Sequence, residues 1–301
     1  MATKAQPDHR APDDVETELG VPDLSVIVIA CNVRDELVRC LESVRRYTCG
    51  LHVECILVDN GSTDGTAAMV AEDFPEVQVI RRPTNECLPG RNHGLRRARG
   101  QFRMFLDSDA ELTPGALAAM VAAFDDCPGA GLVGPRLVYP DGRLQLSTRR
   151  FPPLMLPVLR LPGLEGFFAD RPTIRRHLMD GEPHDRRRRV EYVMGACQLF
   201  RAEAQSAVGE IDTHIWFGHD DADWCFRIRQ AGFDVVYVPE AEVIHDYRRQ
   251  ASSSPLSLFT IRFLLAHLHF QRKWWSQRRG LMAEGAGFDR EASLAGNRAQ
   301  R

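Results

Sequence analysis

The 301-residue chain has no Gly-x-Gly-x-x-Gly after its first apolar run and no Gly-x-x-x-x-Gly-Lys-Ser/Thr anywhere. Dinucleotide oxidoreductases and P-loop nucleotidases both lose their main support. A Gly-x-Ser-x-Gly elbow is also missing, which argues against a serine hydrolase of that type. None of the eight cysteines forms a Cys-x-x-Cys pair, and most sit in apolar runs, so buried reduced thiols are expected in place of disulfides or zinc. There is no basic excess: the formal net charge of −3 argues against a general nucleic-acid binder and leaves only a local basic surface open. No run reaches the roughly 18 apolar residues needed to span a bilayer. The first 23 residues are polar, acidic and proline-containing, with no signal-peptide pattern. The expected location is therefore cytoplasmic, either free or peripheral on the inner face of the cell membrane.

What is present is an alternation of strands and helices in a chain long enough to bury a large core. Residues 1–22 read as a disordered leader. Leu24–Ala30 is a continuous β-branched run, the mark of a central parallel strand buried on both faces. Further strands are expected at 53–58, 77–80 and 102–106, separated by helices bearing Leu37, Leu41 and Val44, then Ala67, Val70 and Phe74. Thr113 followed by Pro114 reads as an N-cap and first helical position, ahead of Leu117, Val121 and Phe124. This alternation predicts an α/β fold with a doubly wound, mostly parallel sheet. The segment 151–189, apolar and proline-rich and then arginine-rich, reads as an insertion beside the sheet. Strand-like sequence returns at 190–201, a helix follows with Trp224, Ile228 and Ala231, and two late strands are expected at 235–238 and 242–245. The main domain is thus 23–250, followed by an amphipathic helix within 251–279 and a disordered tail over 280–301. The helix carries Ile261, Leu264, Leu265, Leu268 and Trp275 on one stripe.

The run 104–109 ends in two carboxylates one residue apart, Asp107 and Asp109. Residues two apart on a strand share a face, so both can reach one point, suited to a hard divalent cation holding a diphosphate. An acidic turn explains a lone Asp-x-Asp equally well. Context weighs against it, because Asp59 also falls at a strand's carboxyl end, where ligands bind in such sheets. Asp220, Asp221 and Asp223 add a third acidic group at the start of a helix. A helix-capping carboxylate is the competing reading there, and it fits Asp223 better than Asp221.

Taken together, Ser-Val-Ile-Val-Ile-Ala-Cys-Asn (25–32), Val-Asp-Asn-Gly-Ser-Thr-Asp (58–64), Phe-Leu-Asp-Ser-Asp (105–109), Gly-Ala-Cys-Gln-Leu-Phe-Arg (195–201) and Asp-Asp-Ala-Asp-Trp-Cys-Phe-Arg (220–227) resemble the family 2 glycosyltransferases, rhamnosyltransferase-like members most of all. One such motif is weak; five in the family's order are specific. The resemblance implies a GT-A fold and inverting transfer of a sugar from a nucleotide diphosphate, with Mg2+ or Mn2+. It places Asp59 on the base, with Asn32 and Asn60 beside the nucleoside. Arg91 and Asn92 fall on the pyrophosphate side, where the 85–92 segment keeps the family pattern loosely. It makes Asp109 the principal metal ligand, Asp107 a ribose or metal contact and His245 a metal or diphosphate ligand. Asp221 matches the general base, and Asp220 stands in the acidic pair as an acceptor contact. Cys31 replaces a common tyrosine, and Asp-Tyr-Arg-Arg after His245 replaces a glycine-containing segment.

The implied partners are a UDP-, dTDP- or GDP-sugar and a glycan or lipid-linked acceptor, in polysaccharide, cell-wall or glycolipid assembly. The 151–189 insertion is the expected acceptor side. The stretch 256–275 has two readings, a membrane interface or packing on the sheet or on a partner subunit, of which packing is favoured. The oligomeric state is left open, a homo-oligomer included. Two other functions compete. Sugar-phosphate nucleotidyl transfer wants a glycine-rich Lys or Arg loop after the first strand, and 30–35 has none. A nucleotide-sugar-binding module without catalysis would not need Asp220, Asp221 and Asp223.

Overall fold

A computed structural model describes residues 20–159, 170–247 and 258–277. The tail expected at 280–301, nearly all of the leader and part of the 151–189 insertion lie outside the described residues. The strands are β1 (Leu24–Ala30), β2 (Val53–Asp59), β3 (Gln78–Arg81), β4 (Phe102–Asp107), β5 (Ala110–Leu112), β6 (Ala130–Val138), β7 (Leu144–Gln145), β8 (Thr148–Arg149), β9 (Arg188–Arg189), β10 (Tyr192–Val193), β11 (Cys197–Arg201) and β12 (Asp234–His245). The helices are α1 (Arg34–Arg46), α2 (Thr66–Asp73), α3 (Arg91–Leu95), α4 (Ala116–Asp126), α5 (Leu156–Leu159), α6 (Pro172–Leu178), α7 (Ala202–Val208), α8 (Asp220–Gln230) and α9 (Leu258–Trp274).

The main sheet runs β3-β2-β1-β4-β11-β6-β12-β5, with β7 beside β6 and β9 beside β12. β1 pairs in parallel with both β2 and β4, while β11 runs antiparallel between β4 and β6. Side chains of β1 alternate between two cores, as strand geometry requires. Val26 and Val28 join Leu37, Leu41 and Phe124 on one face; Ile27 joins Phe105, Phe200, Trp224 and Phe270 on the other. Gly94 lets α3 lie close on β1, since a Cβ there would meet Ile27 Cγ2 at 2.4 Å. That approach sets Arg91 beside the sheet's carboxyl edge.

Several elements depart from the sequence pattern. β6 was not evident, because two glycines and Pro135 interrupt its apolar run, yet it sits centrally between β11 and β12. The two late strands are one, β12, whose register shifts between Val238 and Glu242, around Pro239. Thr113 does not cap a helix: α4 starts at Ala116 after Gly115 in the left-handed region, and the Thr113 hydroxyl donates to Glu242 O at 2.7 Å.

The largest departure is α9. It buries Ala266, His267, Phe270, Gln271 and Trp274 and leaves the stripe Ile261, Leu264, Leu265, Leu268 and Trp275 exposed. Its rotation is set by partners that the aliphatic spacing does not reveal. Trp274 Nε1 donates to Asp223 at 2.8 Å, Gln271 Nε2 donates to Pro152 O at 2.8 Å, and the Trp274 ring lies 4.5 Å from that of Phe226. Buried polar atoms must find partners, and here they outweigh the count of leucines.

Candidate active site at the carboxyl edge of the sheet

The parallel register brings the first acidic groups to one edge. Ala30 lies opposite Asp59 and Ile29 opposite Asp107, so both carboxylates leave the sheet within one residue of each other. Asp59 is buried and accepts a hydrogen bond from Ser62 N–H at 3.0 Å. Asn32 has φ 54° and ties the loop after β1 to the loop after β2: its side-chain oxygen accepts from Thr63 N–H at 2.8 Å, and its own N–H donates to Ser62 Oγ at 3.1 Å. Asn60 donates to Cys87 O at 3.0 Å, while its buried side-chain oxygen has no partner among the described residues. Asn92 is committed elsewhere. Its amide exchanges two hydrogen bonds with the backbone of Ile211, at 2.8 and 2.9 Å, and so pins that loop.

Asp107, Asp109 and His245 form a compact set, each offering a ligand atom within 4.8 Å of the others. β5 runs antiparallel to the end of β12, with His245 opposite Ala110, and this pairing carries the histidine to the turn that holds Asp109. His245 Nε2 lies 3.5 Å from Asp109 Oδ1. Its Nδ1 lies 2.6 Å from Gln145 Oε1; with that oxygen as acceptor, Nδ1 carries the proton and the Nε2 lone pair faces the carboxylates. Burial alone would lower the histidine's pKa, but the Asp109 carboxylate beside it raises it overall. Carboxylate and imidazole donors of this spacing fit a divalent cation such as Mg2+ or Mn2+, with small side-chain adjustment. Gln145 carried no signal in the sequence; only the β6–β7 pairing places it there.

Arg91 joins this set to the second acidic pair. It is 1 % exposed and donates to Asp107 Oδ1 and, at 3.0 Å, to Gly195 O. Its other terminal nitrogen lies 3.6 Å from Asp220 Oδ2, and its guanidinium stacks 4.8 Å from the Phe105 ring centre. Gly195 is on this edge because β11 runs back antiparallel to β4. Its N–H donates to Asp221 at 3.3 Å, and Ala222 N–H donates to the same carboxylate at 2.8 Å. Asp220 is buried, whereas Asp221 stays half-buried. Burial and the neighbouring Asp221 charge push Asp220 up to about 7, with Arg91 opposing them. Burial likewise raises Asp221 and Asp107.

Asp223 is not the helix cap, a position held by His219. It lies inside α8 and receives Arg227 Nε at 2.9 Å on one oxygen, and Trp274 Nε1 and Lys273 Nζ at 2.8 Å each on the other. α9 is thereby strapped to the helix that carries the acidic pair. A further cluster, Asp212, His214 and His269, also gathers ligand atoms within 4.8 Å. Lys273 Nζ lies 2.6 Å from Asp212 and already supplies the positive charge there.

The chain matches the Glycosyl transferase family 2 over residues 25–208, more than half its length. It belongs to that family. Among curated relatives, an N-acetylglucosaminyl-diphospho-decaprenol L-rhamnosyltransferase of Mycobacterium tuberculosis is 27 % identical over 271 residues, covering 84 % of this chain and 86 % of the relative. A pre-mycofactocin glycosyltransferase of the same species is 30 % identical over 238 residues, covering 76 % of this chain and 43 % of the relative. Among solved structures, GalNAc-T7 with UDP, GalNAc and Mn2+ superposes with a TM-score of 0.63 at 19 % identity, over 86 % of this chain and 50 % of that one. The mannosyltransferase PcManGT of Pyrobaculum calidifontis, in complex with GDP-Man and Mn2+, gives 0.54 at 19 % identity, over 92 % and 80 %. The fold is therefore GT-A, and this family 2 member is a glycosyltransferase.

Proposed function

We propose that this glycosyltransferase moves a hexosyl or deoxyhexosyl group from a nucleotide diphosphate to a hydroxyl of a lipid-linked or glycan acceptor, with inversion at the anomeric carbon. The observation that carries the reading is the meeting, across Arg91, of the Asp107, Asp109 and His245 set with the Asp220–Asp221 pair. In-line displacement needs both: one group to hold the leaving diphosphate and another, on the opposite side, to take the acceptor's proton. The relative named for a decaprenyl-diphosphate acceptor supports the lipid-linked class.

Asp59, with Asn32 and Asn60 beside it, receives the base and nucleoside. The unpartnered oxygen of Asn60 is a ready acceptor for a donor N–H or O–H group. Asp109, Asp107 and His245 would hold a divalent cation, which when bound would supply positive charge where the diphosphate leaves. Asp221, the more accessible of the pair, is the general base and accepts the acceptor hydroxyl's proton. Asp220, buried against Arg91, is pushed up to about 7 by burial and by the Asp221 charge beside it.

The pH dependence follows from the direction of that shift. A raised carboxyl pKa leaves the base protonated at low pH, so activity is lost as pH falls. Burial raises the Asp221 carboxyl, so we expect kcat/KM to fall as pH is lowered into the range where it takes up a proton, and to flatten above that range. A profile that is flat from pH 5 to 9 would speak against the pair as base (about these limits the free carboxyl is fully ionised).

A thermal-shift screen of UDP-, GDP- and dTDP-sugars, with and without manganese, tests the donor side. A true donor at about 100 times its Kd adds about 2.7 kcal/mol to stability. The manganese-dependent part of that shift should vanish in Asp109→Asn. No stabilisation by any of these donors would sink the proposal. Stereochemistry is checked separately, by the anomeric configuration of the product against that of the donor.

A further inference from the structure

The helix α9 has two faces with different partners. Its inner face is fixed to the domain through Asp223 and through His267, whose Nδ1 lies 3.1 Å from His219 Nε2 and whose Nε2 donates to Leu154 O at 3.0 Å. His219 immediately precedes Asp220, so the helix lies against the start of the helix that bears the acidic pair. Its outer face presents Ile261, Leu264, Leu265, Leu268 and Trp275, with Leu265 59 % and Trp275 61 % exposed. Leu154 and Met155, in the segment whose Leu154 carbonyl accepts from His267, are also exposed, at 51 % and 60 %. Scattered exposed leucines are ordinary on a soluble protein, but a contiguous stripe of this kind marks an interaction surface.

We infer that this outer face seats the enzyme on an anionic lipid bilayer and so brings the catalytic edge to an acceptor held in that bilayer. The inference rests on the lipid-linked acceptor reading above. Charge selects the occupant. The stretch 258–277 contains Arg262, Arg272 and Lys273 and no Asp or Glu. Aliphatic side chains with a tryptophan at the end, flanked only by basic residues, match the interfacial zone of an anionic membrane. A second copy of this chain fits less well: a two-fold pairing of the same stripe brings basic groups together with no acid on either helix to offset them. Lys273 is held by Asp212 and Asp223, so among the described residues of the helix the exposed Arg272 is the cation best placed to meet headgroups.

The test uses the full chain and its Leu265→Glu/Leu268→Glu variant, in flotation with phosphatidylcholine vesicles with and without about one-third phosphatidylglycerol. Both substituted positions are exposed, and an unchanged melting temperature confirms that the variant is folded. Wild type should float with the anionic vesicles, and the variant should lose about tenfold or more of its bound fraction. Wild type that stays in the soluble fraction, or a variant that floats equally, overturns the inference. So does a wild-type dimer in light scattering that the double substitution converts to a monomer, since the occupant is then a second copy. Transfer to a detergent-solubilised polyprenyl-diphosphate acceptor separates the two readings. Activity there without flotation rejects the surface alone, and flotation without any such transfer rejects the acceptor class alone.

Discussion

Replacing Asp221 with Asn is expected to lower the rate of sugar transfer by about 10²- to 10⁴-fold, the usual contribution of a positioned general base. The change keeps the side chain's volume and leaves an oxygen to accept from Gly195 or Ala222 N–H, but an amide takes no proton at these pH values. The donor side lies across Arg91 and should be untouched, so stabilisation by donor and manganese should persist. That combination separates loss of a base from loss of fold. Turnover at saturating donor, measured beside the thermal shift, is the decisive pair of readings. A variant that transfers sugar at close to the wild-type rate removes Asp221 from the mechanism. Asp220→Asn is the companion experiment. It removes the neighbouring carboxylate, and the acid limb of the rate profile should move to lower pH.

Arg91→Met is expected to be the most damaging single substitution to stability near the site, at about 3–5 kcal/mol. The guanidinium is buried and bridges Asp107, Gly195 O and Asp220, so its removal leaves two carboxylates without their cation. Arg91 opposes the upward push of burial on both Asp107 and Asp220. Without it both pKa values rise further, protons compete more strongly with a cation at Asp107, and the acid limb of the rate profile moves to higher pH. Urea denaturation at neutral pH reads the first effect, and the pH profile reads the second. Unchanged stability together with an unmoved profile would show that Arg91 is a bystander. Arg91→Lys should restore charge but not the fork that reaches three partners, and its behaviour should lie between the two.

These expectations divide unevenly between sequence and structure. β1, β2 and β4 were legible because strands buried on both faces read as continuous apolar runs, and their carboxyl ends located Asp59 and Asp107. β6 was not, because its glycines and proline blur the run, although pairing with β11 and β12 stabilises it regardless. Arg91 could be assigned to the donor side by pattern alone. That its guanidinium lies between two carboxylates from strand β4 and helix α8 depends on the approach of α3 to β1 through Gly94. The aliphatic spacing of α9 predicts its stripe as the face that packs or meets a membrane, with packing favoured. The structure turns it outward, because the buried hooks Trp274, Gln271 and His267 have partners only in the folded chain.

The sequence by itself determined the family, the sheet's parallel half and the acidic residues that meet at its edge, because motif order and β-branched runs are local properties of the chain. Only the tertiary structure decided which of these residues touch: Gln145 behind His245, Arg91 between Asp107 and Asp220, and Asp223 under Trp274. Such contacts join positions as distant in the chain as Arg91 and Asp220, and their geometry comes from sheet register and the demand that buried polar groups be paired, neither of which is written in any one stretch.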